Sequence, residues 1–226
     1  MTVIALIPAR GGSKRIPGKN LKSFCGRPII LRVFEALALS GISEKNIYCS
    51  TDSPDIKTLV HSVGGSLLDR PESLAHDNVG IIDVIKFCLQ QIETVGFTDD
   101  KTLFLVAYPT AVYARPDLIQ NAVEIARKHP SKLVVSSTQI DSSVSRSFYL
   151  SSGNSFPLNK DFYSFRSQDL PALFLDAGQF YVGSVGLWRT LSGTTNHPDV
   201  YPFVVENAVD INTFDDWIKA EKEFSN

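Results

Sequence analysis

Short runs of apolar residues alternate along the chain with longer stretches in which apolar residues recur every three or four positions. The short runs are too brief for ordinary helices and suit strands in a parallel sheet that is covered on both faces. They lie at 3–7, 46–51, 66–68, 102–107 and 133–137. The longer stretches predict amphipathic helices. They lie at about 28–40, 54–63, 81–92, 117–126 and 215–224. This alternation predicts an α/β fold with a doubly wound, mainly parallel sheet.

Between residues 139 and 170 the alternation breaks down. Serines, aromatic residues and turn formers follow one another there without a helix or strand period. A segment of that length inside a compact domain usually has a function or some structure of its own. Because the sequence shows no repeat, low-complexity tract or linker, we interpret residues 1–226 as a single domain with an insertion at about 139–170.

The first predicted strand leads directly into a loop that is rich in glycine and basic residues. From position 7 to position 20 the sequence reads IPARGGSKRIPGKN. Glycine lets backbone N–H groups approach a ligand closely, and Arg and Lys side chains attract a polyanion. The carboxyl edge of a parallel sheet is also where α/β proteins bind ligands. The loop is therefore a candidate phosphate-binding site.

Two common phosphate motifs do not fit this loop. A Walker loop has four residues between its first glycine and its Gly-Lys-Ser/Thr ending. Five residues separate Gly12 from Gly18 here, and Asn20 replaces the hydroxyl that would bind magnesium. The spaced glycines of the dinucleotide fingerprint are absent too. On the residues alone, a solvated basic surface loop stays open as an alternative.

The whole stretch from Ile7 to Asn20 resembles the N-terminal signature of the sugar-activating cytidylyltransferases, the acylneuraminate or CMP-nonulosonic acid cytidylyltransferase family. Members transfer CMP from CTP to nonulosonic acids such as sialic acid. The resemblance implies a Rossmann-like nucleotidyltransferase fold, with Arg10 and Lys19 as catalytic residues that hold phosphates. It also implies substrate contacts for other residues of the loop, namely Ala9, Gly11, Gly12, Ser13, Lys14 and Asn20.

Two further segments resemble substrate-contacting parts of the same family. In the family, the arginine that matches the first residue of RPESLAHD (70–77) contacts the cytosine ring, whose acceptors suit the donors of Arg70. We therefore assign Arg70 and Asp77 to substrate binding, although an ion pair or a helix cap would also explain them. The segment YPTAVYARPDL (108–118) contributes Tyr108, and it departs from the family at Val112, where relatives have proline.

The stretch RSQDLPALFLDAGQFYVG (166–183) resembles the branch that activates pseudaminic acid more than the sialic acid branch. This favours pseudaminic acid, an acidic nine-carbon sugar, as the substrate beside CTP. The implied contacts are polar residues: Arg166, Gln168, Asp176, Gln179 and Tyr181. Gly178 lies among bulky residues, which indicates a close backbone approach by a ligand or another strand. Alternatively, Gln179 and Tyr181 lie merely on a polar strand face while Phe180 and Val182 enter the core.

The sequence VDIN (209–212) has the pattern of a strand end, where alternation would put Asp210 and Asn212 on one face. The family has Asp-Ile-Asp here, and both carboxylates serve magnesium that is bound to the triphosphate. The resemblance implies Mg²⁺ as the cofactor, with Asp210 catalytic and with Asp210 and Asn212 as metal ligands. The alternative is that Asn212 only caps the helix that follows. Asp52, after the second predicted strand, is either a helix cap or a site residue.

In the resembled family, an excursion near residues 139–170 forms a dimerisation hairpin and lends side chains to a neighbouring site. We expect a homodimer on this ground. Arg146, Lys160 and Arg166 would then meet the carboxylate of the sugar, or they would only solvate a flap.

Composition narrows the partners and the compartment. The net charge is -2, so the basic charge is local and duplex nucleic acid is not an expected partner. Cys25, Cys49 and Cys88 are widely separated and odd in number, which argues against a disulfide framework and a zinc knuckle. Since no signal peptide is recognised and no apolar run reaches membrane-spanning length, a cytoplasmic location without membrane association is expected.

The implied reaction is attack by the anomeric hydroxyl of the sugar on the α-phosphate of CTP, which gives a CMP-sugar and pyrophosphate. One alternative is activation of another acid, such as sialic, legionaminic or deoxyoctulosonic acid. The other is a nucleotide-binding protein that has lost catalysis, and Asn212 is its only support.

Overall fold

The computed structural model describes residues 2–76, 78–94, 96, 99–193 and 199–224 of the chain. Its strands are β1 (Val3–Pro8), β2 (Ser23–Phe24), β3 (Arg27–Pro28), β4 (Ile47–Thr51), β5 (Ser66–Asp69), β6 (Leu103–Ala107), β7 (Leu133–Ile140), β8 (Phe148–Ser151), β9 (Asn154–Pro157), β10 (Leu173–Ser184) and β11 (Val200–Val204). Its α-helices are α1 (Ile29–Leu39), α2 (Pro54–Ser62), α3 (Ile81–Thr94), α4 (Pro116–Lys128), α5 (Val185–Thr190) and α6 (Phe214–Phe224). None of these helices is both long and apolar enough to cross a membrane.

The central sheet has the strand order β11-β7-β10-β6-β1-β4-β5 within the described residues. Neighbouring strands run parallel except at β10, which lies antiparallel between β6 and β7. The prediction of a doubly wound, mainly parallel sheet is confirmed. Because Leu173 of β10 pairs with Ile140 of β7, β10 begins at the edge where β7 ends. This accounts for its reversed direction.

Strand β1 is covered on both faces, which explains its uninterrupted apolar run. Ala5 and Ile7 pack on one face with residues of α1, α2 and α4. Ile4 and Leu6 pack on the other face with residues of α3 and α5. All four side chains are fully buried. Burial of an aliphatic side chain such as leucine contributes about 1.5–3 kcal/mol, so β1 is a firm support for the loop that follows it.

The direction of strand addition reverses at β1. The chain first adds β4 and β5 on one side of β1, and it then returns through α3 to place β6 on the other side. Loops leaving the strands diverge at such a switch point, and the crevice between them is the usual ligand site of an open α/β sheet. The loop rich in glycine and basic residues leaves the carboxyl end of β1 at this crevice.

Residues 141–172 form an excursion between β7 and β10. The excursion contains the β8–β9 hairpin and short 3₁₀ turns, so it has the structure of its own that its length suggested. Several apolar side chains are exposed on it, including Phe148 at 65%, Leu150 at 74% and Leu158 at 60%. Exposed apolar residues concentrated in one short segment indicate an interaction surface.

Residues 209–212 do not form a strand, contrary to the prediction. The predicted alternation is nevertheless present, because Val209 and Ile211 are buried in an apolar cluster with Trp217 of α6. Asp210 and Asn212 therefore lie on the opposite side, as predicted. The pattern arises from packing against α6, and neighbouring side chains supply hydrogen bonds that a strand partner would otherwise make.

Candidate active site

A cavity of about 700 Å³ opens at the carboxyl edge of β1. Its walls come from the loop after β1, the turn after β6, the middle of β10 and the segment before α6. The lining residues are Pro8, Arg10, Ser13, Lys14, Arg15, Lys19, Asn20, Tyr108, Pro109, Thr110, Asp176, Gly178, Tyr181, Asp210 and Asn212. The fold thus brings together polar residues from sequence segments that lie up to two hundred positions apart.

Hydrogen bonds within the protein fix the loop after β1. Nδ2 of Asn20 donates to the carbonyl oxygen of Arg10 over 2.9 Å, and Nη1 of Arg10 lies 3.4 Å from the carbonyl oxygen of Ala75. Asn20 is only 6% exposed, so its amide chiefly shapes the loop. Lys14 and Arg15 are exposed on the cavity side of the same loop. The loop therefore presents positive charge from a backbone that is already ordered.

Asp52 holds the basic loop and does not cap α2. Its Oδ1 accepts a hydrogen bond from the backbone N–H of Gly11 over 2.8 Å. The cap of α2 is Ser53, whose Oγ accepts from the N–H of Ile56. A Cβ added to Gly11 would lie 3.0 Å from Cβ of Ser53. Glycine at this position is thus explained by close packing against the turn after β4.

Lys19 joins the basic loop to the segment before α6. Its Nζ donates to the carbonyl oxygen of Ile211 over 2.7 Å. Burial lowers the pKa of Lys19, the Asp210 carboxylate partly offsets this effect, and Arg15 and Arg10 add to the lowering. An anion bound beside these three basic groups would stabilise the charged form of Lys19. The electrostatics at Lys19 therefore suit a negatively charged ligand.

Asp210 and Asn212 lie side by side at the cavity. Nδ2 of Asn212 donates to Oδ2 of Asp210 over 2.5 Å. The cap of α6 is a reciprocal pair, in which Oγ1 of Thr213 accepts from the N–H of Asp216 and Oδ2 of Asp216 accepts from the N–H of Thr213. The alternative that the Asn212 side chain only caps the helix is therefore wrong. The amide of Asn212 points towards the Asp210 carboxylate, the side chain that was predicted to lie on the same face.

Two tyrosines and a second carboxylate form another wall of the cavity. The hydroxyl of Tyr181 donates to Oδ2 of Asp176 over 2.6 Å. The rings of Tyr108 and Tyr181 pack edge to face, with 5.8 Å between their centroids. Burial raises the pKa of both tyrosines, and the Asp176 carboxylate raises it further. Both hydroxyls therefore stay protonated at neutral pH. They suit an oxygen-rich ligand such as a sugar.

Gly178 brings the backbone of β10 against Asp210. The register of β10 with β7 shifts between Asp176 and Tyr181, and Gly178 in this bulge has a φ of +62°. A Cβ added there would lie 2.8 Å from Cγ of Asp210. The close approach predicted at Gly178 is therefore to a side chain of the site, not to a strand. The bulge of β10 therefore prevents the Asp210 carboxylate from moving towards Gly178.

Gln179 does not line the cavity, so the prediction that its side chain contacts the sugar is wrong. The residue is fully buried. Its Oε1 accepts from the N–H of Tyr113, and its Nε2 donates to the carbonyl oxygens of Ala177 and Val209. Nor do Gln179 and Tyr181 lie on an exposed polar strand face, because helices cover both faces of the sheet. Tyr181 reaches the cavity from within the core.

The model of the cytidylyltransferase family matches residues 4–174, which include the basic loop, the turn after β6 and the whole excursion. The chain belongs to the cytidylyltransferase family. The pseudaminic acid cytidylyltransferase of Campylobacter jejuni subsp. jejuni serotype O:2 is 31% identical over 189 residues, which cover 83% of this chain and 81% of that protein. The CMP-N,N'-diacetyllegionaminic acid synthase of Legionella pneumophila subsp. pneumophila is 37% identical over 141 residues, covering 62% of this chain and 59% of that protein. The family predicted from the loop sequence is confirmed.

A solved structure gives independent support for the fold of this family member. A CMP:2-keto-3-deoxy-manno-octonic acid synthetase complexed with CTP matches it with a TM-score of 0.70, over 100% of this chain and 99% of that chain. The identity is 17%, so the likeness establishes the architecture alone. The nucleotidyltransferase fold implied by the sequence is confirmed.

Three residues that were predicted to contact the substrate do not line the cavity, namely Ala9, Arg70 and Gly12. Ala9 is fully buried in the core. Arg70 is half-buried, and its Nε donates to the carbonyl oxygen of Leu74 over 2.8 Å. Gly12 is exposed on the loop, and no neighbouring heavy atom would lie within 4 Å of a Cβ added there. Asp77 lies outside the described residues.

Four polar residues of the excursion lie on its surface or serve its own structure. Arg166, Gln168 and Lys160 are exposed and do not line the cavity. Arg146 donates hydrogen bonds to the carbonyl oxygens of Phe162 and Phe165 within the excursion. Arg146 therefore stabilises the fold of the excursion. The alternative that its side chain only solvates a flap is wrong.

Four residues line the cavity without having been predicted as contacts: Pro8, Arg15, Pro109 and Thr110. Pro8 is the last residue of β1. Arg15 belongs to the same basic loop, so its charge was a usable signal. Pro109 and Thr110 carry no chemical signal of their own. They lie at the cavity because they follow β6 directly. Their position after the carboxyl end of a strand next to β1 is the signal that could have identified them.

Cys25, Cys49 and Cys88, all within the described residues, form no disulfide, as their number and spacing predicted. Burial raises the pKa of the Cys49 thiol to about 12 and that of the Cys88 thiol to about 11. A thiol nucleophile must be ionised, and these two stay protonated at neutral pH. They are therefore core residues of the sheet and of α3 without a covalent role.

Proposed function

We propose that this protein transfers CMP from CTP to the anomeric hydroxyl of a nonulosonic acid, giving a CMP-sugar and pyrophosphate. The observation that carries the proposal is that the basic loop, the Asp210 carboxylate and the tyrosine pair meet in one cavity. The basic loop suits a triphosphate, and the tyrosines with Asp176 suit a sugar rich in hydroxyl and amide groups. By their names, the relatives described above make CMP derivatives of such sugars.

Transfer of a nucleotidyl group depends on positioning and charge neutralisation more than on covalent help from the protein. Arg10, Lys14 and Lys19 line the cavity together and would hold the phosphate oxygens. Lys19 is the residue of the basic loop that lies beside Asp210, so it would bind the phosphate at the reacting end. Burial lowers the pKa of Arg70, and the Asp52 carboxylate partly offsets this effect. Arg70 therefore lies close to the carboxylate that holds the basic loop, and it would offer donors to the cytosine acceptors.

The residues beside Lys19 fit a magnesium ion bound to the triphosphate. Magnesium prefers carboxylate, amide and phosphate oxygens. Asp210 offers a carboxylate, and a half-turn of the Asn212 amide would exchange its Nδ2 for Oδ1 beside Asp210. Within the part of the chain that the structure describes, no group of three or more His, Cys, Asp or Glu could hold a metal. The nucleotide would therefore supply most ligands, and the bound ion would offset negative charge on the leaving pyrophosphate.

We expect Asn212→Asp to lower the magnesium concentration that gives half-maximal rate. An amide oxygen brings no negative charge to a hard divalent ion, and a second carboxylate would. Asp210→Ala should damage turnover far more than Asn212→Ala, because it removes the charged ligand. A magnesium titration of pyrophosphate release compares the wild type with these three variants. An unchanged magnesium requirement in Asn212→Asp would remove Asn212 from the metal site.

We propose pseudaminic acid as the preferred sugar. Two Campylobacter relatives, 31% and 30% identical over most of their length, carry this sugar in their names. The test is pyrophosphate release with CTP and equal amounts of pseudaminic, legionaminic, sialic or deoxyoctulosonic acid, with UTP in place of CTP as the nucleotide control. The expected result is the highest kcat/KM for CTP with pseudaminic acid. A higher kcat/KM for sialic acid would overturn the assignment of the sugar.

We propose that the excursion joins two copies into a homodimer. Exposed Phe148, Leu150 and Leu158 support this, and Arg166 would then reach the cavity of the second copy. Light scattering should give twice the chain mass for the wild type, whereas the double substitution Phe148→Glu and Leu150→Glu should give monomers. The matched control is Leu39→Glu, which changes a side chain that is 67% exposed on α1. A monomeric wild type at micromolar concentration would contradict the dimer.

A cytoplasmic location and the absence of nucleic acid among the partners remain part of this proposal. The basic residues Arg10, Lys14, Arg15 and Lys19 of the loop all line one cavity, which supports a small anionic ligand.

A further inference from the structure

Asp210 lies on a segment without a strand partner, and side chains hold the carbonyl groups of both of its neighbours. The carbonyl oxygen of Ile211 accepts from Nζ of Lys19 over 2.7 Å. The carbonyl oxygen of Val209 accepts from Nε2 of Gln179 over 3.3 Å. Lys19 is already part of the binding machinery. Gln179 is not, because it is fully buried and does not line the cavity.

Gln179 also connects this segment to two other walls of the cavity. Its Nε2 donates to the carbonyl oxygen of Ala177 in the β10 bulge over 3.0 Å, and its Oε1 accepts from the N–H of Tyr113 over 3.1 Å. Its own carbonyl oxygen accepts from the N–H of Tyr108 over 3.0 Å. One buried residue therefore bonds to the bulge, to the turn after β6 and to the segment that carries Asp210.

The chemistry of the three partners requires an uncharged amide. Two of the partners are carbonyl oxygens that need donors, and the third is an N–H that needs an acceptor. A glutamate would place an oxygen against the two carbonyl groups. A methionine would fill the same space and leave three buried backbone groups without their partner. Asparagine lacks the reach that the present distances use.

We infer that Gln179 is a positioning residue that fixes Asp210 relative to the tyrosine wall of the cavity. The inference rests on the proposed function, in which Asp210 takes part in magnesium binding and turnover. Gln179 acts through the backbone at Val209 and Tyr113, and it touches no reacting atom. Its loss should therefore change where Asp210 lies while the basic loop, which holds the phosphates, stays as it is.

The test compares Gln179→Met with Trp188→Phe. The control removes another buried side chain to backbone bond, from Nε1 of Trp188 to the carbonyl oxygen of Phe104 over 2.9 Å, outside the cavity wall. Gln179→Met should reduce kcat by about tenfold or more, because small misplacements of catalytic groups are costly. The magnesium concentration for half-maximal rate should rise, while the KM for CTP should stay within about threefold of the wild-type value. Trp188→Phe should lower Tm and leave these constants unchanged.

A second readout needs neither substrate nor metal. Hydrogen exchange in the nucleotide-free protein should accelerate in peptides that contain Tyr113 and residues 209–213 of Gln179→Met, and not in those of Trp188→Phe. If Gln179→Met does not fold, Gln179→Glu takes its place, because it keeps the size of the side chain and an acceptor for Tyr113. Kinetic constants and exchange equal to those of the control would overturn the inference. A wild type without cytidylyltransferase activity would defeat the proposed function, and the exchange comparison would still decide the role of Gln179.

Discussion

Gly178→Ala should lower kcat by about a hundredfold or more while the protein still folds. The added Cβ would lie 2.8 Å from Cγ and 2.9 Å from Oδ1 of Asp210, closer than such atoms can approach. The Asp210 side chain must therefore move away from the β10 bulge. Displacement of one catalytic group by about 1 Å can cost a hundredfold in rate. Steady-state kinetics with saturating CTP and magnesium measure this loss.

The control for Gly178→Ala is Gly41→Ala. Gly41 also has a positive φ, of +91°, but no heavy atom lies within 4 Å of the Cβ that alanine would add. Both variants put alanine into left-handed backbone, which costs about 1–2 kcal/mol of stability, and Gly178→Ala should lose somewhat more because it also displaces Asp210. Only Gly178→Ala should lose turnover. Equal kcat values for the two variants would show that the contact with Asp210 does not position the carboxylate.

Lys19→Ala should leave the fold intact and reduce kcat by about a hundredfold or more through lost stabilisation of charge in the transition state. Lys19 is the basic residue that links the loop to the Asp210 segment, through the carbonyl oxygen of Ile211. Its ammonium group is partly buried between Asp210 and two arginines, where a phosphate would be its natural counter-ion. A loss of this size corresponds to about 2.7 kcal/mol of activation free energy.

Lys22→Ala is the matched control for Lys19→Ala. Lys22 lies three positions further on and places its ammonium group over the rings of Phe214 and Trp217, away from the cavity lining. Its removal should leave kcat and the KM for CTP near the wild-type values. Thermal unfolding of both variants checks that the fold is kept. An unchanged kcat in Lys19→Ala would remove Lys19 from the site.

Features that depend on neighbouring residues could be predicted from the sequence. Strand β1 was recognisable because an apolar run covered on both faces has no polar positions, and the basic loop was recognisable because it follows that run directly. The prediction that Asp210 and Asn212 lie on the same face was also correct, although the strand that was predicted to place them there does not form. Val209 and Ile211 alternate with them because they pack against Trp217, and not because a strand forms there.

Features that depend on distant contacts could not be predicted in the same way. The antiparallel direction of β10 is set by how the excursion returns to the sheet edge, and no local pattern encodes it. Gly178 was recognised as a point of close approach, but its partner Asp210 is thirty-two positions away. Gln179 looked like a ligand contact, since nothing in the sequence reveals that three backbone groups satisfy its amide.

The cap of α6 has a local sequence signal at Thr213 and Asp216, whereas a cap at Asn212 was the alternative to its predicted role as a metal ligand. Thr213 and Asp216 have the spacing of a capping box, three positions apart at the start of a helix. Asn212, one position earlier, is also of a type that caps helices, so composition alone favoured neither residue. The packing of Ile211 under α6 decides between them, because it turns the Asn212 side chain towards Asp210.

The most direct test of the proposed function follows the phosphorus atoms of CTP. The protein is incubated with magnesium, pseudaminic acid and CTP that carries ³²P in the α-phosphate, and a parallel reaction uses CTP labelled in the γ-phosphate. The account predicts that the α label appears in a CMP-sugar of the expected mass and that the γ label appears in pyrophosphate, in equal amounts. Label that stays in CTP with pseudaminic, legionaminic, sialic and deoxyoctulosonic acids alike, under conditions where the folded protein binds CTP, would contradict it.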